Sequence, residues 1–230
     1  MPPVKKNPRD SQRKRLYQAE HPMPTSPLPG LDACAHFADR VVGTLWWHAR
    51  FPNLTLDKIP RLRPGHGARQ AFYRDDDGAA DPTITLPRRY RTKGVMLHEL
   101  MHWAMCGDDD LPDHGRTFAR LLLDATLEFS GTDRAKALME SYKDQKVQVG
   151  KPARVGPDGH LHYGWDERLR LGKGRTLAVC YRARDGGPIA TTGVYEGYAG
   201  SGRTVLVRVG GAARPMRIKT ADIWDVRQVR

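Results

Sequence analysis

The sequence predicts an α+β chain in two parts: helices around a few short strands, then a small module built almost wholly of strands. Two observations carry this. Apolar residues recur at helical spacing in several stretches up to about residue 148, and beyond that point short alternating runs are separated by DGG, GSG and GGA turns. A chain of 230 residues that is 39% hydrophobic, with a mean hydropathy of −0.62, has room for one or two modest domains.

Residues 1–30 mix Lys and Arg with prolines 2, 3, 8, 22, 24, 27 and 29. That composition buries too little apolar surface to offset its ordering entropy, so a flexible basic arm is expected. From Leu31 to Ala49, Ala35, Phe37, Ala38, Val41, Val42, Leu45 and Trp46 repeat near helical spacing behind Asp32, and Pro52 ends this first helix. LTLDKI, ARQAFY and TITLP follow between residues 54 and 89, separated by Pro, Gly and the acidic turn Asp75–Asp77, and read as three strands. Helices are expected from about Thr92 to Cys106, from near His114 to Phe129, and from Thr132 to about Gln145. The domain so bounded covers residues 31–148. Residues 149–230 then carry TLAVCYRA, IATTGVYEGY, RTVLVRV and RPMRIKTADIWDV, four or five strands that suggest a small β-barrel, SH3-like in size.

Charge is distributed unevenly. The net charge is +12, but residues 31–150 hold 17 basic and 17 acidic groups, whereas residues 1–30 hold 6 and 2 and residues 151–230 hold 15 and 7. An acidic partner, nucleic acid above all, is therefore expected at the arm and the C-terminal barrel, not at the middle. The aromatic residues Tyr163, Trp165, Tyr181, Tyr195, Tyr198 and Trp224 accompany that C-terminal charge. Cys34, Cys106 and Cys180 are odd in number and far apart, which argues against a disulfide framework or a cysteine zinc knuckle. With no apolar window of about 18 residues and no apolar run behind the N-terminal charges, a cytoplasmic location is expected.

The chemistry is concentrated in GVMLHELMHWAMC, where His98, Glu99 and His102 form the H-E-x-x-H pattern. Val95, Met96, Leu97, Leu100, Met101, Trp103, Ala104 and Met105 surround them, so the three polar side chains interrupt a helix that reads as buried. Buried polar groups need partners. Two imidazoles at i and i+4 share one helix face and can bind a single ion, expected to be one zinc, while Glu99 is placed to take a proton from a water that the ion acidifies. The competing reading is a core helix with structurally satisfied histidines. A catalytic zinc wants a third protein ligand and an open fourth position. His114, at the start of the next amphipathic helix, is the foremost candidate, with Glu128 and Asp113 as alternatives.

HELMH followed by a short polar connection and HGRTF resembles the SprT-like and Spartan-type metalloproteases, and more closely small actinobacterial and phage metallohydrolases with the same arrangement. The resemblance spans about residues 31–145. It implies a zincin-like minimal metalloprotease fold, zinc held by His98, His102 and His114, and Glu99 as the catalytic base of a peptidase acting on a protein or peptide substrate. The chain departs from Spartan-type proteins in a shorter connection between the second and third histidines and in lacking a cysteine zinc ribbon. In such folds an extended substrate lies along a strand edge above the metal helix, and TITLP, bracketed by Pro82 and Pro87, is the expected edge. Arg116, Tyr73 and Tyr90 are the candidates for stabilising an oxyanion, with nothing in the sequence to choose among them. His160 and His162 read as a loop feature, as does His66, and the alternative function is a non-enzymatic nucleic-acid-binding protein whose zinc is structural or vestigial.

Overall fold

The computed structural model describes residues 12–22, 26–75, 81–108 and 110–229, which fall into two compact units, residues 9–149 with the site and residues 150–230 with the large sheet. The first eleven residues of the expected arm, and Asp76 and Asp77 of the expected acidic turn, lie outside the described residues.

The first unit runs α1 (Arg13–Glu20), α2 (Leu31–Val42), α3 (Leu45–His48), β1 (Arg61–Pro64), β2 (Phe72–Arg74), β3 (Thr83–Leu86), α4 (Lys93–Ala104), α5 (Arg116–Ser130) and α6 (Thr132–Asp144). At its centre lies α4, against which α2, α5 and β2 pack. Thr92 starts α4 by accepting a hydrogen bond from the Val95 N–H at 3.2 Å. The expected 31–49 helix is two helices. Gly43 stops α2, and Thr44 both donates to the Val41 carbonyl at 2.7 Å and caps α3 through the Trp47 N–H. Trp47 then stacks on Trp103 of α4 with ring centroids 5.3 Å apart, tying the pair to the core.

Two strand expectations change. Leu56–Lys58 is a 3-10 turn, held by the Thr55 hydroxyl on Asp57, and the extended chain begins only after Pro60. TITL is the central strand and not an edge: β3 pairs in parallel with β1 on one side and antiparallel with β2 on the other. Ile84 and Leu86 are fully buried, which is what a strand with neighbours on both edges can achieve. The strand next to α4 is β2, whose one edge pairs with β3.

The arm expectation fails over residues 12–22. An eight-residue helix is too short to persist alone, and α1 is held by tertiary contacts. Leu16 and Ala19 are fully buried, and α1 packs on α6. The Gln12 amide exchanges two hydrogen bonds with the Gln148 backbone, at 3.1 and 2.9 Å, and Arg15 donates to the Lys146 carbonyl. At the other end the Ser141 hydroxyl donates to the Ala19 carbonyl at 2.8 Å. Downstream, residues 26–28 lie beside residues 91–93, with Leu28 N–H donating to the Arg91 carbonyl at 2.7 Å.

The second unit comprises β4 (Arg154–Val155), β5 (Leu161–His162), α7 (Trp165–Leu171), β6 (Thr176–Arg182), β7 (Pro188–Ala199), β8 (Thr204–Arg208), β9 (Met216–Lys219) and β10 (Ile223–Gln228). Its main sheet is antiparallel throughout, in the order β10-β6-β7-β8-β9. No pairing between β10 and β9 closes it among the described residues, so the expected barrel is an open sheet. Its apolar face does not need closure to be covered. Trp165 and Leu169 of α7 join Leu177, Val179, Tyr195, Val205, Val207, Ile218, Ile223 and Val226 in one core. A bulge at Tyr195/Gly197 bends β7, and Gly193 lets the Arg208 backbone approach where any Cβ would collide. No helix among the described residues is long and apolar enough to cross a membrane.

Because Leu16 is fully buried, Leu16→Ala is expected to destabilise the protein by about 2–5 kcal/mol. Urea denaturation measures this, and a change near zero would restore the flexible-arm description.

Candidate metal centre

The i, i+4 spacing on α4 sets His98 and His102 on one face, with their Nε2 atoms 3.1 Å apart. His114 stands in the turn before α5, whose N-cap is Gly115, and the return of the chain brings its ring 4.6 Å from that of His102 and 5.5 Å from that of His98. One ligand atom from each of the three lies within 4.8 Å of the others, and the group can hold a metal ion. Phe118, the third residue of α5, packs against all three rings at 4.6–5.1 Å and closes the apolar side of the cluster. His98 and His114 are buried and His102 half-buried. The alternative ligands Glu128 and Asp113 are exposed and lie outside this group.

Glu20, at the end of α1, accepts a hydrogen bond from His98 Nδ1 at 2.9 Å through its Oε2. That bond fixes the tautomer: with the proton on Nδ1, the Nε2 lone pair of His98 points toward His102 and His114. Burial pulls the His98 imidazole down, but the Glu20 carboxylate and its hydrogen bond carry it above its ordinary value. His102 is held far below its usual value, first by burial and then by His98 and His114. His114 is pushed down to about 3 by burial and by His98. Two of the three rings are thus neutral, ligand-ready imidazoles at neutral pH.

Glu99 is 4% exposed, one position along from His98. Burial raises its carboxyl, opposed by His98 and by a hydrogen bond from the Tyr73 backbone. Since residues 72–74 pair with β3, that Tyr73 N–H marks the outer edge of β2 as the edge facing the site. Glu99 Oε2 is buried without a hydrogen-bond partner, an unsatisfied acceptor one position along the helix from a ring of the cluster.

Two further side chains come from α1. The Tyr17 ring stacks on His98, centroids 5.3 Å apart, and tilts against His114 at 5.1 Å, while remaining partly exposed. Arg13 lies over the Tyr17 ring at 5.6 Å and hydrogen-bonds its hydroxyl, and its charge acts on all three histidines. Burial raises the Tyr17 phenol, with Glu99 and Glu20 adding to the rise against Arg13. Arg13, Lys14, Tyr17, Gln18 and His21, with Gln70, line an open cleft of about 470 Å³. None of these was singled out by sequence reasoning, because all but Gln70 fall inside the expected arm. The available signal was the proline-free window RKRLYQAE, with Leu16 and Ala19 on one face and Tyr17 and Glu20 on a neighbouring one.

The other sequence candidates stand elsewhere. The Tyr73 hydroxyl donates to Asp75 at 3.0 Å, Tyr90 sits in a 3-10 turn beneath Arg89, and Arg116 opens α5. His162 bonds both Asp158 oxygens at 3.1 Å and lies 3.8 Å from Asp225, a loop anchor and no part of the metal group. None of the three cysteines forms a disulfide. No family model, curated protein or solved structure matches the chain.

Glu20→Gln keeps the side-chain shape and removes the charge that orients His98. Metal affinity, measured by competition with a chromophoric chelator, is expected to fall about 10–100-fold with the three histidines in place; equal affinity would reduce Glu20 to a bystander.

Proposed function

We propose that this protein is a zinc-dependent peptidase. The observation that carries the reading is the convergence of three imidazoles beside a buried carboxylate with an unpartnered oxygen, Glu99. The donor set fits zinc: three nitrogen ligands, one oriented by a carboxylate, match the usual ligands of a catalytic site that keeps one position open. His98, His102 and His114 would hold the ion, which when bound supplies Lewis-acid polarisation and acidifies water near neutral pH.

The chain's own residues do the rest. Glu99, steadied by the Tyr73 N–H, takes the proton of the attacking water on its free oxygen and passes it to the leaving amine. Tyr17 and Arg13 stand across the histidines, where a phenol and a guanidinium can donate to the carbonyl oxygen as it gains negative charge. An extended substrate lies beside β2, in place of the edge expected at TITLP. Phe118 walls off water on the far side.

This reading keeps the kinship suggested by HELMH and HGRTF with SprT-like and Spartan-type metalloproteases, and with it a zincin-like fold for residues 31–148. For the second unit we propose an SH3-like strand plan, supported by the β6–β9 meander and the 3-10 turn Thr220–Asp222 before β10, which returns to β6. A structural zinc in a non-enzymatic protein would favour four protein ligands, whereas three converge among the described residues.

Glu99→Gln is expected to retain one zinc per chain and to cleave fluorescein-casein or a quenched peptide library about 10²–10⁴-fold more slowly. Cleavage at the parent rate would overturn the mechanism. Tyr17→Phe removes one donor and keeps the ring. It is expected to lower kcat by about 10²–10³-fold with metal content unchanged, and a KM effect alone would assign Tyr17 to binding instead.

A further inference from the structure

The second unit has a cleft of its own, about 830 Å³, whose lining includes Lys151, Arg154, Trp165, Arg203, Lys219 and Thr220 and no acidic residue. Its two walls are fixed by hydrogen bonds. On one, the ends of β8 and β9 are locked together: the Thr220 N–H donates to the Arg203 carbonyl at 2.9 Å and the Thr220 hydroxyl to the Gly202 carbonyl at 2.7 Å. Thr204 faces Lys219 in the register. On the other, Arg154 lies over Trp165, its guanidinium carbon 3.7 Å from the ring centroid. Arg154 donates to the carbonyls of Thr220 and Ile223, which ties the two walls.

Arg154 is already balanced. Burial lowers its pKa, and Asp166 and Asp222 act on it in the opposite sense. The charges of Lys151, Arg203 and Lys219 are different: all three are exposed, and none forms an ion pair among the described residues. Three solvated cations flanking a pinned, planar guanidinium make a specific combination. The cations suit successive phosphates, and the open face of a flat guanidinium is a surface on which an unpaired base stacks. An acidic peptide would use the cations but leave the planar platform without a partner.

We propose that this cleft binds single-stranded nucleic acid, with Lys151, Arg203 and Lys219 on the phosphates and the Arg154–Trp165 pair beneath a base. The proposal stands apart from the peptidase reading, since every residue in it belongs to the second unit.

The test uses the full chain and a fluorescein-labelled 12-nucleotide oligothymidine, followed by anisotropy across a NaCl series. The Lys151→Ala/Arg203→Ala/Lys219→Ala variant changes exposed residues only. It is expected to bind at least tenfold more weakly, with the slope of log affinity against log salt smaller by about 2, at unchanged metal content and circular dichroism. Arg154→Lys keeps the charge and loses the plane, so affinity should fall with the slope unchanged. If that variant unfolds, the triple variant decides. Three results overturn the proposal: no binding of the parent to the oligonucleotide, equal affinity and slope in the triple variant, or competition by poly-glutamate as strong as by unlabelled oligothymidine. Tighter binding of a duplex of the same length would likewise reject the single-stranded assignment.

Discussion

The first unit is organised by the cost of burying His98 and Glu99 on α4. That helix is otherwise surrounded by Met96, Leu97, Leu100, Met101 and Trp103, all buried, so water is not available to satisfy its polar groups. A buried group left unpaired costs about 1–3 kcal/mol, and more when charged, so partners must come from other elements. The Glu20 carboxylate comes from α1, the Tyr73 N–H from β2, and the His114 ring from the turn before α5. The first two meet α4 through hydrogen bonds and the third through ring contacts with His98 and His102, all at the same point. The site is therefore where the unit's pieces are joined, and the second layer around the histidines is made of the residues that fix the architecture.

Satisfaction there is incomplete in a directed way. Glu99 Oε2 and Glu20 Oε1 are among the buried atoms without hydrogen-bond partners, as is the Tyr142 hydroxyl, on the helix that receives α1. Burial and Glu20 keep the Tyr142 phenol well above its ordinary value, so it remains a proton donor. The unpaired Glu99 oxygen follows His98 in the chain, and in the proposed mechanism it is the atom that would receive a proton. The Glu20 and Tyr142 atoms belong behind His98, where they add polarity to the carboxylate that orients it. The carboxylate on His98 and the unpaired acceptor of Glu99 are what the proposed ligand and base roles would need.

Much of this was legible in the sequence, and what was missed has a common physical cause. The H-E-x-x-H spacing placed His98 and His102 on one helix face because helix geometry is local, and Thr92 as a cap is equally local. The packing of α5 against α4 followed from two amphipathic patterns joined by a short turn. What failed was non-local. Leu16 and Ala19 are too few to signal a core, and α1 exists because Gln12, Arg15 and Ala19 find partners about 120–136 residues away. TITL shows the same alternation whether it lies at an edge or at the centre, since strand order is set by long-range pairing. The C-terminal strands were readable from their turns, but whether they close or are capped by α7 depends on Trp165 and Leu169, which a strand-centred reading passes over.

The placement of α1 also changes what the uneven charge means. Residues 1–30 looked like a basic tether because 6 of their side chains are cationic against 2 acidic. Arg13, Lys14 and Tyr17 instead line the cleft beside the histidines, and Arg13 acts electrostatically on all three rings. A guanidinium close to a site built for a divalent cation is repelled by it unless negative charge lies between them. The Glu20 and Glu99 carboxyls both act on His98 and can supply part of that charge. Under the proposed peptidase reading the remainder would come from a substrate oxygen that turns negative during attack, which would match Arg13 to the reacting state. The cations of the second unit are a separate population, three of them solvated and set around a flat Arg154 with no acidic residue in the lining. Part of the N-terminal charge thus belongs to the surroundings of the histidines, and the excess of 15 basic over 7 acidic residues after position 150 includes the cations of the second cleft.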